Sequence, residues 1–451
     1  MIVSSPLGRF RIIWLGQLVS VLASGVAWFS IMVWAWQTTS STTQFGLLLF
    51  VSFGTGLLVS PVAGVLVDRA NRKTVILLCD LGLAAASGVV LALYLSDRLQ
   101  LWHLLVVGAG EGMLETAHWL AFAGLITDLV PDEQRSRANG LMWLSDPASE
   151  IAAPAAGGAL LAVASLGGVL VLDIATYLVA VVCLAVVRVP DHRAGAAAYD
   201  ASAGTETAGR RRWLAEVSTG FRYIWRSRVL RPLLVMFFIM NVVGGVAYAL
   251  TTPLVLLRSG DSTAVLGTVI SASGLGGLLG AALIGVWPGP KRRVRFIIGC
   301  VAAGCGLGPL LLAVSHTLVL WVVAAFAAAM VVPMANAVHQ TLWQATVPTA
   351  LQGRVFGARR ALTQAAMPIG LLGAGPLVDS GLDRAITTDS ALAPLVGTGT
   401  EGAAGLVLGI AALLGLATAI ALAFVRQMRD LDRPAEAAGE RHERATAEIS
   451  R

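Results

Sequence analysis

The sequence predicts an all-α integral membrane protein with twelve transmembrane helices in two six-helix halves. Of 451 residues, 56% are hydrophobic and only 13% are charged, and the mean hydropathy is +0.77, which is far from the composition of a soluble domain. Apolar runs of about 18 residues or more, each able to cross a bilayer as a helix, recur along the chain. A motif also repeats between the halves, VPDEQRSRANG at 130–140 and VPTALQGRVFG at 347–357.

Each apolar run is assigned one span, and the spans divide evenly between the halves. The N-terminal bundle, residues 1–188, has predicted spans at 10–37, 44–67, 74–95, 102–129, 137–163 and 168–188. The C-terminal bundle, residues 230–425, has predicted spans at 230–257, 264–287, 294–314, 318–346, 353–378 and 402–425. The first run is about 28 residues long with no small-residue cleavage site, so it is predicted to remain as a span.

Two segments outside the bundles differ in composition. Residues 189–212 lack apolar periodicity and residues 426–451 are polar and charged, so both are predicted to be disordered. Within the linker 189–229, the stretch 213–228 places Trp213, Val217, Phe221 and Ile224 on one helical face. This spacing favours an amphipathic helix on the inner membrane surface, and an earlier start of the seventh span is the alternative.

The distribution of basic residues predicts the orientation. With the N-terminus inside, 29 of the 32 Lys and Arg residues lie on the cytoplasmic side, and only Arg98, Arg258 and Arg384 lie outside. We therefore expect a multi-pass protein of a bacterial inner (plasma) membrane with both termini cytoplasmic. The net charge of +6 reflects this topology and anionic lipid, and no nucleic-acid partner is expected.

The fourth and fifth predicted spans carry carboxylates that a bilayer disfavours. Glu111, Glu115 and His118 are spaced i, i+4 and i+7 and so share one helical face. Asp146 and Glu150 share a face of the next helix, together with Trp143 and Gly157. Four ionised, unpaired carboxylates near the bilayer centre would cost about 10 kcal/mol or more.

No Lys or Arg is found in any predicted membrane core to neutralise these acids. The carboxylates are therefore expected to be protonated, hydrated in a cavity or neutralised by a ligand, which makes all four candidate proton-coupling groups. Glu115 and Glu150, which are nearest to mid-depth, are the first choices. His118 either relays a proton or forms a local hydrogen bond. Asp80 and Asp173 are interpreted as structural.

The loop GVLVDRANRKTVIL after the second span contains a specific motif, whose residues are Gly64, Asp68, Arg69, Asn71, Arg72 and Lys73. It resembles the G-x-x-x-D-R-x-x-R-K signature of the major facilitator superfamily. Asn71 is expected to supply a positive φ angle in the tight reversal. The resemblance implies a conformational gate in which Arg72 pairs with an acid at the inner end of the fourth helix, and Asp128 is the matching residue. A solvated topogenic turn is the alternative.

Further strings resemble the branch of drug:proton antiporters that contains macrolide-efflux proteins and enterobactin exporters. These are LVPDEQRSRANG, APAAGG at 153–158, and GRVFGARRALTQAAMPIGLLGAGPLVD at 353–379. APAAGG is similar to an exporter pattern, GPxxGG, and assigns close helix packing to Ala153, Pro154, Gly157 and Gly158. Glu111 lies near a position where many drug antiporters carry Arg. Because this chain has an acid there, proton coupling is expected to depend on acids and not on an Arg.

The C-terminal half is expected to supply a neutral, partly aromatic wall for substrate. The candidate substrate-contacting residues of both halves are Trp119, Trp143, Asn241, Tyr248, Asn336, His339, Gln340 and Trp343. For the tryptophans, buried packing is an equally open interpretation. The four cysteines fall inside predicted spans, which favours packing over a disulfide or metal site.

The combined expectation is a secondary transporter that exports a macrolide-like, cationic and amphipathic molecule in exchange for protons by alternating access. It would be driven by the proton motive force without a cofactor and function as a monomer. A siderophore exporter or a lipid or lysolipid flippase of the same fold is the alternative. The sequence has no H-E-x-x-H, G-x-S-x-G or Walker motif, so an enzyme is disfavoured.

Overall fold

The computed structural model describes residues 6–189, 221–287, 289–348, 351–380, 382, 386 and 392–425. The helices, named α1 to α12 in chain order, are α1 Pro6–Thr39, α2 Thr42–Arg69, α3 Arg72–Leu95, α4 Leu101–Leu129, a run Asp132–Val186 that contains α5 and α6, α7 Leu230–Ser259, α8 Thr263–Val286, α9 Arg293–Val314, α10 Leu318–Thr346, α11 Gln352–Asp379 and α12 Gly399–Phe424. No strand occurs among these residues.

The helices confirm the predicted all-α membrane fold. Ten helices of the described chain are long and apolar enough to cross a membrane. The two spans outside that set are α4 and α5, which carry the four carboxylates. The break between α5 and α6 is shorter than expected, because Ser165 alone leaves helical geometry at φ 54° and ψ 174°.

The two halves meet at the end of the molecule opposite the α2–α3 loop. Here α2 begins where α11 ends: the backbone at Thr43 lies against Gly375, and Gly46 lies against the carbonyl of Leu371. The carboxylate of Asp379 accepts a hydrogen bond of 2.9 Å from Ser41 Oγ and one of 2.8 Å from the Thr43 N–H. Asp379 of one half thus caps the first turn of α2 in the other.

A second contact between the halves joins α5 and α8 at the same end. Gly158 lies against Thr263, Gly267 against the Pro154 carbonyl, and Gly274 against the backbone of Glu150. Small residues let these backbones approach closely. The close contacts extend from Gly158 as far as Glu150, and Asp146 and Trp143, which lie nearer the loop on α5, are exposed. The molecule is therefore closed at this far end and open at the loop end, and we call the space between the halves the central cleft.

Arg258, predicted at the outer side, lies inside helix α7 and is buried. The Arg258 side chain, 2% exposed, lies 3.0 Å from Glu401 Oε1. It also donates to the carbonyls of Leu312, Ala313, Ser315 and Val396, each at 2.8 Å. Arg258 is therefore a buried link between α7, α9 and α12, and not a residue of an outer loop. Arg359 lies on α11.

Only part of the predicted linker is described. Residues 221–226 are helical, and Ile224 is 1% exposed and packs in the core of the C-terminal half, while Arg222 and Arg226 are exposed. This end of the stretch 213–228 therefore packs on the bundle through Ile224. Residues 190–220 and 426–451, which were predicted to be disordered or amphipathic, lie outside the described residues.

Candidate functional site

The α2–α3 loop places a cation against the end of α4. Nη1 of Arg72 lies 2.7 Å from Asp128 Oδ1, 2.7 Å from the Gly124 carbonyl and 3.0 Å from Thr127 Oγ1. The pairing of Arg72 with Asp128 is the contact that the family resemblance implies. Lys73 donates to the carbonyls of residues 185 and 187, which satisfies the end of α6.

Asn71 acts differently from the prediction. Its φ angle is −70°, and its side chain accepts a 3.2 Å hydrogen bond from the Thr74 N–H, so it is the N-cap of α3. The reversal therefore needs no positive φ at this position. Gly64 is not closely packed in this conformation, since a Cβ there would meet no atom within 4 Å. The side chains of Asp68 and Arg69 lie outside the description.

The acidic face of α4 borders the central cleft. Glu115 is exposed and Glu111 is half-buried. The two carboxylates interact electrostatically, and Glu115 also interacts with Asp146 on α5. The structure thus brings the acids of α4 and α5 to the same side of the N-terminal half.

The acidic face of α5 turns away from α1 and toward the same cleft. The opposite face packs on α1, where Trp14 donates to the Leu141 carbonyl at 2.8 Å and Ser149 donates to the Val21 carbonyl at 3.0 Å. Asp146 and Glu150 are exposed. The remaining face is therefore free to contact water or substrate.

Two tryptophans lie beside these acids. Trp119 on α4 is 42% exposed and Trp143 on α5 is 61% exposed, and their ring centroids are 6.0 Å apart in an edge-to-face arrangement. Exposed aromatic rings next to carboxylates suit an apolar molecule that carries a positive charge. This pair is therefore not buried in helix packing, and its contact with substrate stays a prediction.

Glu150 lies at the closed end of the cleft. Its backbone contacts Gly274 of α8, where the seam between the halves ends. Its side chain interacts electrostatically with Tyr248 on α7, and the Tyr248 hydroxyl interacts with the Trp28 indole on α1. Three helices from both halves thus meet around this carboxylate.

The predicted wall of the C-terminal half is partly buried. Trp343 is 0% exposed and His339 is 4% exposed, so neither faces the cleft in this conformation. His339 stacks on Phe237 with 3.4 Å between ring centroids, and its Nε2 accepts a 2.7 Å hydrogen bond from Trp343. These residues pack the interior of the half. For Trp343 this is the buried-packing alternative, whereas His339 was predicted to contact substrate.

The adjacent stripe of α10 and α7 remains accessible. Asn336 is exposed, and Gln340 and Asn241 are half-buried. The Asn241 amide donates to the Phe237 carbonyl within its own helix at 2.7 Å. On α10 the accessible polar residues are therefore Asn336 and Gln340, whereas His339, one residue before Gln340, faces the interior of the half.

Two arginines of α11 lie next to this polar stripe of α10. Nη2 of Arg359 donates to Gln340 at 2.6 Å, and its guanidinium lies 5.2 Å from the Trp343 ring centroid. Arg360 is exposed and contacts Gln364 at 3.3 Å. The string GRVFGARRALTQ contained this signal, but it falls near a predicted helix end and was counted with the cytoplasmic charges.

Two buried aspartates of the N-terminal half are each bound by neighbouring helices. Asp173 on α6 accepts from Ser24 at 2.7 Å and from Ser87 at 2.6 Å. Asp80 on α3 accepts from Gln17 at 2.8 Å and lies 3.2 Å from Nε2 of His118. His118 therefore contacts Asp80 as well as lying one turn from Glu115.

The helix-packing residues of α5 lie at close contacts. Ala153 and Pro154 are buried, and Gly157 lies against the Phe29 ring of α1. Gly158 lies against α8 as described above. In the described part of the chain, no group of three or more His, Cys, Asp or Glu residues has metal-binding geometry.

Comparisons with known proteins agree with this architecture. A family model described as Major Facilitator Superfamily matches residues 13–371. The chain is 25% identical over 371 residues to Macrolide efflux protein A of Streptococcus pyogenes, covering 81% of this chain and 88% of that protein. It is 28% identical over 342 residues to Multidrug efflux pump Tap of Mycolicibacterium fortuitum, with coverage of 72% and 78%.

Solved structures support the fold alone. A bacterial homologue of the iron transporter ferroportin in an inward-facing state has a TM-score of 0.63 at 16% identity, over 92% of this chain and 98% of that chain. A bacterial homologue of the human lysosomal transporter Spinster, inward-facing and unoccupied, has a TM-score of 0.57 at 17% identity, with coverage of 94% and 97%.

Proposed function

Because this chain belongs to the major facilitator superfamily and is a transport protein rather than an enzyme, we propose that it exports a cationic, amphipathic small molecule in exchange for protons. Relatives named for macrolide efflux and multidrug efflux support the direction and the class of cargo. The carboxylates of α4 and α5 support the coupling to protons.

The single observation that carries the proposal is the position of four acids along one wall of a cleft that is open at one end. Glu115, Asp146 and Glu150 are exposed, and Glu111 is half-buried, on the two helices that we assign to this wall. Acids so close together repel one another when ionised, so they favour either bound protons or a bound cation. A cationic substrate and protons therefore compete for the same wall.

This competition gives an exchange cycle. With the cleft open at the loop end, the predicted cytoplasmic side, the acids release protons and bind the cationic cargo. With the cleft open at the far end, protons bind and the cargo leaves. Each proton that enters down a membrane potential of about 100 mV supplies roughly 2.3 kcal/mol, so the proton motive force is sufficient as the energy source and no cofactor is required.

The orientation and assembly form part of the proposal. The basic α2–α3 loop and the family resemblance support cytoplasmic termini and a bacterial inner membrane. Each chain has its own cleft between two complete halves, which supports a functional monomer. Labelling of Arg98→Cys by a membrane-impermeant maleimide on whole cells tests the orientation, and no labelling contradicts it.

The proposal is tested with radiolabelled erythromycin, a cationic macrolide, in inside-out membrane vesicles that contain the purified chain. We expect energised vesicles to accumulate the label and an uncoupler to abolish accumulation. Glu115→Gln and Glu150→Gln should each abolish it, while Glu133→Gln, an exposed acid at the loop end, should not. Accumulation that persists in both cavity variants refutes the proton role.

The same vesicles separate the alternative cargoes. Arg360, exposed on α11 of the other half, is a positive group that an anionic chelator or a phospholipid headgroup would bind. Transport of a catecholate siderophore or a fluorescent lysolipid, without transport of erythromycin, would replace the proposed cargo with a siderophore or a lipid.

A further inference from the structure

A carboxylate that the proposed cycle does not use lies behind Glu115, in the core of the N-terminal half. Asp80 on α3 is 0% exposed. Its Oδ2 accepts a 2.8 Å hydrogen bond from Gln17 on α1, and its Oδ1 lies 3.2 Å from Nε2 of His118 on α4. Three helices thus converge on one buried acid.

The burial of Asp80 restricts the charge of this cluster. An ionised carboxylate whose only partner is an amide is costly inside a protein, so the Asp80–His118 pair is favoured in forms with no net charge. Either an imidazolium faces a carboxylate, or a neutral imidazole faces a protonated carboxyl. The anionic pair, a neutral imidazole facing a carboxylate, therefore gains a favoured form when it accepts one proton.

Glu115 and this pair form a series that leads from the cleft into the core. Glu115 is exposed, the His118 side chain is 16% exposed and the Asp80 side chain is 1% exposed. Glu115 lies three residues before His118 on the same helical face, and the two groups interact electrostatically.

The series also leads toward the loop end. At 1.5 Å per residue, Glu115 lies about 20 Å along α4 from Asp128, and His118 lies about 15 Å from it. Asp80 lies about 12 Å along α3 from Arg72, at the same end. A proton that passes from Glu115 to the pair therefore moves toward the predicted cytoplasmic side without crossing the cleft.

The other groups around the series cannot replace His118. Those that interact with Glu115 are Asp146 on α5, Asp173 and Tyr177 on α6 and Glu111 on α4, and Cys79 interacts with Asp80. All five are acids, so none of them can supply the positive charge that an imidazolium supplies.

We propose that His118 and Asp80 accept the coupling proton from Glu115 as substrate enters the cleft, and that the proton leaves them for the loop-end side before the far end opens. In this step the O–H bond of the Glu115 carboxyl breaks and an N–H bond forms on the imidazole. Glu115 is left as a carboxylate that pairs with the cationic cargo, and Asp80 neutralises the imidazolium. This inference rests on the proposed proton antiport and adds a route for the proton behind the cleft, which bound cargo does not block.

The test compares two modes of transport in proteoliposomes with radiolabelled erythromycin. Exchange of internal for external label needs no net proton transfer, whereas accumulation driven by a pH gradient does. We expect Asp80→Asn and His118→Gln to keep exchange within about twofold and to lose driven accumulation by about a hundredfold, the order that a positioned proton carrier contributes. Gln17→Met removes a hydrogen-bond donor without a titratable group, and it should lower thermal stability while leaving the ratio of the two modes unchanged.

Two outcomes would overturn the inference. Driven accumulation that survives in both variants shows that no proton passes through the pair. An equal loss of exchange and accumulation, matched by Gln17→Met, shows a structural role alone. If Glu115→Gln loses driven accumulation while Asp80→Asn and His118→Gln retain it, the inference fails and the proposed function stands. If Glu115→Gln and Glu150→Gln also retain it, both fail.

Discussion

Removal of the Asp379 carboxylate should open the far end of the molecule. Asp379 accepts hydrogen bonds of 2.9 and 2.8 Å from Ser41 and from the Thr43 N–H, and so caps α2 across the boundary between the halves. Loss of a helix cap costs about 0.5–2 kcal/mol, and loss of a negative charge at a helix N-terminus costs about 0.3–1 kcal/mol. Both losses fall only on the state that is closed at the far end, because the contact crosses from one half to the other.

Asp379→Ala is therefore expected to shift the equilibrium by about 1–2 kcal/mol, or roughly 5- to 30-fold, toward the state open at the far end. Asp379→Asn keeps an acceptor oxygen and should give a smaller shift. Spin labels on Arg98→Cys and Leu395→Cys, exposed positions at that end in opposite halves, report the opening by double electron–electron resonance once the four native cysteines are replaced by alanine. Asp261→Asn, an exposed acid at the same end, is the control. A distance distribution that is the same for Asp379→Ala and Asp261→Asn refutes the reasoning.

Two further predictions concern the stability of the C-terminal half. Arg258→Met should lower stability by about 3–5 kcal/mol, because Glu401 and four carbonyls lose a buried cation, and an unchanged midpoint of thermal unfolding would contradict this. Gly280→Ala should lower stability by about 1–3 kcal/mol, because a Cβ there overlaps the Met330 carbonyl of α10. Gly277→Ala, where a Cβ would meet no atom within 4 Å, should have little effect, and equal midpoints for the two alanine variants would contradict the packing account.

The elements that follow from local physics could be predicted from the sequence. Each span is an apolar run of the length that a bilayer requires, so helix bounds such as Leu318–Thr346 coincide with the prediction. The acidic faces of α4 and α5 follow from helical periodicity alone. The pairing of Arg72 with Asp128 was predicted from the resemblance to the family motif, because that motif implies a contact between the α2–α3 loop and the end of α4.

The parts that depend on tertiary contacts could not be predicted. Asp80 and His118 are 38 residues apart, and nothing local indicates that α3 and α4 bring them within 3.2 Å. Which stripe of α10 faces the cleft depends on its rotation about its axis, so the sequence could not separate the buried His339 and Trp343 from the exposed Asn336. The sequence also does not indicate which end of the cleft is closed, because one sequence must support both states of an alternating-access cycle.

The sequence also did not indicate which arginines are buried and paired. Arg258 and Arg359 each lie within a few residues of a helix end, where a sequence pattern cannot separate a solvated anchor from a buried partner. Arg258 is buried because carbonyl groups of α9 and of the segment before α12 converge on its guanidinium. Only the folded arrangement of those carbonyls makes its burial favourable.

The central claim is that protons move through the carboxylates of α4 and α5 in exchange for cargo, and direct measurement of proton flux tests it. Proteoliposomes are loaded with a pH-sensitive dye, and a gradient of erythromycin is imposed with no initial pH gradient. The account predicts that the wild-type chain moves protons against the direction of the cargo and that Glu115→Gln and Glu150→Gln abolish this flux. Cargo movement without any proton flux in the wild-type chain would contradict it.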